Sequence, residues 1–356
     1  MTGGVCRHKS NWEIPAERPV MRTQTKNSLQ LWRVARPKRP RKAAPPPKIY
    51  SRRSMPVVDA HMHIGKRDAE AYGSLEEAAE AYLAIMDDAG VAVSINLSGS
   101  PEVIQKVDSL HQVASGRILT CPGTYFRKDV RELWWSMRDL ESFKHENIAG
   151  LKIWCKYQQP LLKPSVAVKI QRQAELNLPA VGMHIADPPE RGFWAPNYWQ
   201  CISDAERTIR SNPGLTFIMA HGFWLMVNDE GLDVLATYFD AYPNLHVDLS
   251  AAYQWWDGAE PTYDKLRNFI IRYKDRILYG TDGNPGYSMK RHFDQTYEVL
   301  ETKQKGLLGF FSKPDAKTHI YGLDLPIEVL NYIYYWNAAR LIPHVRSSLT
   351  TLGYTV

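Results

Sequence analysis

The sequence predicts an α/β protein, a (β/α)8 barrel preceded by a disordered basic extension. From Pro56 onward, eight short apolar runs rich in β-branched residues alternate with longer segments of helical character. The runs recur roughly every 25 to 35 residues over about 300 residues, the spacing of a barrel built from βα units. The first run is not followed by the GxGxxG motif of dinucleotide-binding open sheets. We therefore favour a closed barrel over an open doubly wound sheet.

The eight predicted strands cover residues 56–64, 91–98, 118–125, 148–154, 179–185, 215–221, 245–251 and 276–282. The segments between them carry helix-end signals. In SLEEAAEAYLAIMDDAG, Ser74 and Glu77 form a capping-box pattern, and Gly90 closes the helix. A second helix is predicted over SVAVKIQRQAELN, beginning at Ser165.

The first 55 residues differ in composition from the rest of the chain. They contain 14 basic and 2 acidic side chains together with Pro45, Pro46 and Pro47, and they show no sustained periodicity. Such a composition predicts disorder. The segment PKRPRK is typical of a nuclear localisation signal or of a basic segment that binds phosphate groups, but a solvated tail is the simpler interpretation. Because the ordered pattern begins directly after Met55, we expect part of this extension to be a start-site extension and dispensable.

The remaining chain is acidic, with 30 basic and 36 acidic side chains, which argues against a core that binds nucleic acid. The cysteines Cys6, Cys121, Cys155 and Cys201 are widely spaced and fit a reducing compartment. No stretch approaches the roughly 18 apolar residues of a membrane span, and the first 55 residues contain no signal-peptide core. We expect a soluble, cytoplasmic protein.

Polar residues end five of the eight predicted strands. His61 and His63 are two residues apart on the first strand, so both imidazoles point the same way. Lys152, His184, His221 and Asp282 stand near the ends of the fourth, fifth, sixth and eighth runs. Because the carboxyl ends of barrel strands carry the active site, these side chains are expected to meet there. Imidazole and carboxylate ligands suit zinc or manganese, and the sequence therefore predicts a metal centre.

The motifs DAHMHIG, GLKIW, MHIADPP, FIMAHG, NLHVDLSA, ILYGTDG and IYYWNAARLIP resemble the amidohydrolase superfamily, and within it the amidohydrolase-related branch that includes the ACMS decarboxylase-like enzymes. The resemblance covers about residues 56–345. It implies a TIM barrel in which His61, His63, His184 and Asp282 ligate one divalent metal, with zinc preferred and manganese as the alternative. It also implies that His221 polarises the substrate or relays protons. Lys152 lies near the carbamylated lysine of two-metal members, although an ion-paired lysine is the preferred interpretation.

Such a centre would activate water for hydrolysis, with Asp282 as general acid and base and His221 bonded to the water or to a carbonyl oxygen. The same ligands could instead support a non-oxidative decarboxylase of an aromatic or related acid. A third hypothesis treats the barrel as a scaffold and the basic tail as a nucleic-acid-binding segment, and we rank it last. The expected activity is hydrolysis of a small carboxylated or cyclic substrate such as a lactone, amide or ester.

Aromatic residues and one arginine follow the predicted strands at the active-site end. Arg191, Trp194, Trp224 and Trp255 are candidate substrate-binding residues, because arginine pairs with carboxylates and aromatic rings stack on planar substrates. Taken singly, each is better explained as a loop anchor packed on the rim, whereas the group favours a roomy apolar pocket with a cationic edge. The aromatic helix EVLNYIYYWNAARL is compatible with a homodimer, since its aromatic face could pack either on the barrel or on a second copy of the chain.

Overall fold

The structure is a computed structural model. It describes residues 55–125, 147–154, 170, 175–176, 178–184, 198–252, 260–286, 289–303 and 321–356. The basic extension predicted over residues 1–55 therefore lies outside the described residues, except for Met55, which is buried. Its predicted disorder stays a prediction.

Eight parallel strands form the centre of the described fold. They are β1 Val58–Met62, β2 Val93–Gly99, β3 Ile118–Tyr125, β4 Lys152–Trp154, β5 Ala180–Met183, β6 Phe217–Met219, β7 Leu245–Asp248 and β8 Ile277–Leu278. They pair as two four-stranded sheets, β1-β2-β3-β4 and β5-β6-β7-β8. Each strand overlaps the apolar run that predicted it.

Backbone hydrogen bonds join the two sheets at both of their edges. They run from Leu151 N to Pro179 O (3.0 Å) and from His184 N to Ile153 O (2.8 Å) on one side, and from Ala60 N to Tyr279 O (3.0 Å) and from His63 N to Gly283 O (2.7 Å) on the other. The strands thus close into a ring. The predicted (β/α)8 TIM barrel is confirmed.

The helices of the described residues follow or flank the strands. They are α1 Lys66–Tyr72, α2 Leu75–Ala89, α3 Pro101–Ile104, α4 Val107–Val113, α5 Tyr198–Ser211, α6 Asp229–Ala241, α7 Glu260–Arg272, α8 Met289–Glu301, α9 Ile327–Asn331, α10 Asn337–Leu341 and α11 Pro343–Thr351. A kinked turn region covers Ala220–Val227, a short 3₁₀ helix covers Lys274–Arg276, and a π-helix covers Tyr332–Trp336. Within this part of the chain, no helix has the length and apolarity needed to cross a membrane.

Helix α2 has the ends that its sequence predicts. The Ser74 hydroxyl accepts a hydrogen bond from the Glu77 amide at 3.0 Å, which satisfies one of the free amides of the first turn. Gly90 ends the helix with φ of 75°, a left-handed conformation that glycine adopts without a steric cost. The second predicted helix, which begins at Ser165, lies mostly outside the described residues.

Two apolar clusters stabilise the barrel. The larger one packs side chains of the outer helices, such as Tyr82 and Met86 of α2, against the strands. The smaller one combines side chains from six strands, including Val58 and Leu278, with Ile342 and residues of α10 and α11. Such a mixture is expected where the barrel interior is covered at one end by the C-terminal helices, since burial of this apolar surface drives folding.

Strand β8 is shorter than the run 276–282 that predicted it, and the π-helix explains the difference. In a π-helix the backbone pairing shifts by one residue, and here the Ile333 carbonyl accepts a hydrogen bond of 2.9 Å from the amide of Tyr279. The side chain of Asn337 donates to the carbonyls of Lys274 (2.7 Å) and Ile277 (2.8 Å). The C-terminal helices thus support β8 just before the segment that carries Asp282.

Candidate metal centre

Three side chains on or just after the first and last strands converge at one end of the barrel. The Nε2 atoms of His61 and His63 lie 3.3 Å and 3.1 Å from Oδ1 of Asp282. The ligand-type atoms of the three residues all lie within 4.8 Å of one another. His61 is buried, whereas the side chains of His63 and Asp282 are 27% and 31% exposed. Solvent can therefore reach the group from the side of His63 and Asp282.

The hydrogen bonds around these imidazoles fit a metal centre. His61 Nδ1 lies 3.0 Å from Asp248 Oδ2, and His63 Nδ1 lies 2.9 Å from Ser98 Oγ. His61 Nε2, by contrast, is buried and makes no aligned hydrogen bond with any described residue. Metal-binding histidines show this pattern, with the outer nitrogen held by a polar partner and the inner one directed at the ion. An unsatisfied buried nitrogen beside a carboxylate is costly unless something binds there.

A second group of possible ligand atoms, from His61, His221 and Asp248, has a different character. Asp248 Oδ2 lies against His61 Nδ1, and Asp248 Oδ1 accepts the backbone amide of His221 at 3.1 Å. The Nδ1 atom of His221 lies 2.7 Å from the backbone carbonyl oxygen of Ser250. These contacts occupy the outer nitrogens of both imidazoles. This group therefore orients the rings and does not itself favour an ion.

The neighbours also determine where the imidazole protons lie. The carbonyl oxygen of Ser250 can only accept, so His221 Nδ1 carries the proton. The ionised Asp248 likewise only accepts, so His61 Nδ1 carries a proton. In the neutral form, each ring therefore has its lone pair on Nε2.

Burial leaves two of the histidines in the site neutral, whereas neighbouring charged groups keep His61 and Asp282 charged. Burial lowers the pKa of His63 to about 4 and the pKa of His221 to about 3, so both are neutral at neutral pH. Burial would also lower the pKa of His61, but the charge of Asp248 and then that of Asp282 raise it to about 9. Burial would raise the pKa of Asp282, yet the imidazoles of His61 and His63 hold it well below its usual range.

His221 begins a stretch of left-handed backbone directly after β6. His221, Gly222, Phe223 and Trp224 all have φ between 57° and 60°. Each residue with a side chain costs roughly 1–2 kcal/mol in this conformation, and such strain concentrates at functional sites. The Tyr198 hydroxyl donates to the Phe223 carbonyl at 2.6 Å and helps to hold the turn. The turn directs the His221 amide at Asp248.

Two predicted residues lie close to His221. The ring of Trp224 stacks on the imidazole at 4.4 Å between centroids and 24° between planes. Trp224 is only 2% exposed, so the structure favours a role in holding His221 over direct contact with substrate. The His184 ring stands edge-on to His221, with centroids 4.8 Å apart. His184 thus reaches the site, although the compact group does not include it.

Lys152 is the first residue of β4, which ends two residues later at Trp154. The preceding part of the run pairs with β3 only through a bridge between Thr120 and Ile148. The lysine is 4% exposed, and burial lowers its pKa to about 8 against the charges of Asp282 and Asp248, which raise it. It contributes a buried amine near the carboxylates.

Three candidate substrate-binding residues, Arg191, Trp194 and Trp255, lie outside the described residues. Asp248, Ser250 and Ser98 also contact the histidines of the site, although the sequence motifs did not predict them. Asp248 ends β7, so the rule that singled out the other strand-end residues could have found it. The serines give no sequence signal of their own, because a serine after a strand is common in turns.

Residues 169–343 match the family model described as Amidohydrolase. The predicted resemblance to the amidohydrolase superfamily is confirmed.

The barrel also resembles amidohydrolases and related barrels of known structure. An uncharacterized TIM-barrel protein from Bordetella bronchiseptica is 12% identical, with a TM-score of 0.52, over 82% of this chain and 100% of that chain. The 4-oxalomesaconate hydratase from Rhodopseudomonas palustris is 14% identical, with a TM-score of 0.50, over 83% and 98%. An amidohydrolase II is 14% identical, with a TM-score of 0.51, over 80% and 99%.

At these identities the structural likeness concerns the amidohydrolase fold alone, because one fold hosts many reactions. No curated protein matches the chain. The family suggests a small-molecule substrate and a divalent metal, and the group of His61, His63 and Asp282 is a candidate to hold that metal.

Proposed function

We propose that the chain is a metal-dependent hydrolase that acts on a small carboxylated or cyclic substrate of the lactone, amide or ester type. The observation that carries the proposal is the convergence of His61 Nε2 and His63 Nε2 on Asp282 Oδ1, with the outer nitrogen of each ring already bonded. Few structural roles require two such imidazoles to face one carboxylate. A cation between them would satisfy all three groups.

His61, His63, His184 and Asp282 would hold the ion. Three imidazole nitrogens and one carboxylate oxygen suit zinc, with manganese as the alternative. When bound, such an ion lowers the pKa of water towards neutrality and so supplies a nucleophile at ordinary pH. The protein's own part is to orient the reactants and to move the proton.

Asp282 is the proposed proton carrier. Its carboxylate is 31% exposed and lies beside the position proposed for the metal, so it can accept a proton from attacking water and pass it to the leaving group. His221 would assist at its Nε2 atom. Because Nδ1 carries the proton, neutral Nε2 accepts a hydrogen bond, and this supports contact with water over contact with a carbonyl oxygen.

A non-oxidative decarboxylase is the second candidate, and it would fit the ACMS decarboxylase-like branch. A divalent metal held by His61, His63 and Asp282 would orient a substrate carboxylate, which a carboxylated compound for hydrolysis and an aromatic acid for decarboxylation share. The two reactions differ in their products, since only decarboxylation releases carbon dioxide without consuming water.

The test combines metal analysis with a substrate panel. The purified protein is analysed by inductively coupled plasma mass spectrometry and then assayed with lactones, amides, esters and aromatic acids. Asp282→Asn should retain most of the metal while the rate falls roughly 10²-fold or more, the scale of a lost general acid–base. Asp275→Asn, an exposed carboxylate, is the control. A parent protein that binds no divalent metal would refute the proposal.

We further propose a cytoplasmic location, which the four widely spaced cysteines support. Cys121 and Cys201 are both free and buried. A homodimer and the absence of a nucleic-acid partner stay predictions.

A further inference from the structure

The Ser250 hydroxyl contacts both histidine rings on which the proposed chemistry depends. Ser250 follows β7 by two residues and has no exposed surface. Its Oγ atom lies 2.9 Å from Nδ1 of His61 and 3.0 Å from Nδ1 of His221. The same Oγ atom donates to Oδ1 of Asp248. One small side chain therefore touches three groups of the site.

The direction of each of these hydrogen bonds follows from the chemistry of the partners. A hydroxyl offers one proton and two lone pairs. Asp248 can only accept, so it takes the proton of the Ser250 hydroxyl. The Nδ1 atoms of His61 and His221 carry one proton each, so each N–H is shared between Oγ and a second acceptor, which is Asp248 Oδ2 for His61 (3.0 Å) and the Ser250 carbonyl oxygen for His221 (2.7 Å). The hydrogen-bonding capacity of the hydroxyl is thereby filled.

This arrangement joins two histidines that are far apart in the sequence. Their ring centroids lie 4.9 Å apart, and the planes are inclined by 32°. The surroundings leave little room for movement, since a Cβ atom placed on Gly280 would lie 3.0 Å from Cβ of His61 and 3.3 Å from Cβ of Ser250. The Ser250 hydroxyl accepts from both imidazoles while it donates to Asp248, and hydrogen bonds linked in such a chain polarise one another.

We propose that Ser250 is a positioning residue that couples His61 to His221 through a single hydroxyl group. The inference rests on the proposed function for the roles of these two histidines, as metal ligand and as proton acceptor. Because the hydroxyl bonds both rings, it fixes the angle between them. It thereby aligns the lone pair of His221 with the position of the metal. Asp248 holds the hydroxyl in place and so acts on both rings.

The test is a double-mutant cycle on metal affinity, measured by competition with a chromophoric chelator. Zinc affinity is compared in the parent, Ser250→Ala, His221→Ala and the double variant. We expect Ser250→Ala and His221→Ala each to weaken zinc affinity by about 10-fold, the lower end of the effect of losing a partner of a metal-binding histidine, while each variant still binds about one ion per chain at saturating zinc. The double variant should be no weaker than the weaker single variant, because the two residues act through one connection.

Two further variants separate coupling from general damage. Ser94→Ala removes another fully buried barrel serine, and with His221→Ala its effect should multiply independently. Ser250→Gly removes the same hydroxyl and should reproduce the affinity and the coupling of Ser250→Ala. Circular dichroism checks the fold of every variant. The inference would be overturned if the changes in zinc affinity of Ser250→Ala and His221→Ala multiplied independently, as those of Ser94→Ala and His221→Ala are expected to do.

A metal-free measurement distinguishes failure of this inference from failure of the proposed function. In protein labelled with ¹⁵N-histidine, His221→Ala should shift the ring nitrogen signals of His61, and the shift should shrink when Ser250 is alanine. This readout needs neither bound metal nor substrate. If the parent binds no zinc but the NMR coupling is present, the proposed function fails and the coupling stands. If zinc binds but the His61 shift is the same with serine and with alanine at position 250, the coupling fails alone.

Discussion

The backbone amide of Asp282 donates a hydrogen bond of 2.7 Å to the carbonyl oxygen of His61. It ties the segment after β8 directly to β1, and Asp282 adopts φ of 61° to make it. Aspartate tolerates this left-handed conformation better than most residues. The bond places a carboxylate from the end of the barrel beside imidazoles from its beginning. The hydrogen bonding that closes the barrel between β8 and β1 therefore also brings the candidate metal ligands together.

We predict that His63→Ala loses the metal. Its Nε2 atom is one of few ligands, and the residues on either side of it are fixed by barrel hydrogen bonds, so no neighbouring group can replace it. His61→Ala should act in the same way. The metal content per folded chain is measured by mass spectrometry. His111→Ala, on helix α4, should leave the content unchanged. Normal metal content in both site variants would show that the assigned centre is wrong.

Asp248→Asn should weaken metal binding although no proposed ligand is changed. Oδ1 of Asp248 accepts the backbone amides of His221 (3.1 Å) and Ser250 (3.0 Å), so the amide oxygen of asparagine must remain there. The new NH₂ group then faces Nδ1 of His61, which must give up its proton. The His61 proton moves to Nε2, the atom that should bind the metal.

The expected loss in metal affinity for Asp248→Asn is about 10- to 100-fold, measured by chelator competition. Asp240→Asn provides a matched control, because its carboxylate lies on the surface at 58% exposure. Equal affinities in the two variants would contradict the proton assignment for His61.

Lys152→Met and His221→Ala should both retain about one metal ion per chain, as in the parent. Lys152 is buried near Asp282 and Asp248, and we interpret it as a charge partner of these carboxylates and not as a carbamylated ligand. His221 has its Nδ1 atom occupied by Ser250. Turnover should fall in His221→Ala without loss of metal. A parent value near two ions, reduced in both variants, would instead establish a two-metal centre.

Asn337→Ala should destabilise the barrel without removing the metal. The Asn337 side chain donates to the buried carbonyl of Ile277 and the part-buried carbonyl of Lys274, at the start of β8. Leaving buried acceptors unsatisfied costs about 1–3 kcal/mol each. Urea unfolding should show a loss of about 2 kcal/mol or more in the free energy of unfolding. Asn331→Ala, at the end of the half-buried helix α9, should lose much less. A similar loss in both variants would contradict the role of Asn337.

The sequence by itself determined the eight strands and most of the strand-end residues. Alternation of apolar runs and helical segments is a local property, so it predicts the barrel without knowledge of contacts. The spacing of His61 and His63 likewise predicts that their imidazoles meet. The helix ends at Ser74 and Gly90 follow from local hydrogen bonding and backbone conformation, and the structure has both.

The tertiary structure alone decided how those residues are held. Asp248 and His61 are separated by 187 positions, and no periodicity links them. The left-handed turn that orients His221 runs against the local preference of three of its four residues, so only the surrounding contacts can stabilise it. The shortened β8 depends on a carbonyl of the π-helix, far along the chain. Hydrogen-bond partners and strained backbone are set by the packed barrel, because their free energies depend on neighbours that a local sequence pattern does not contain.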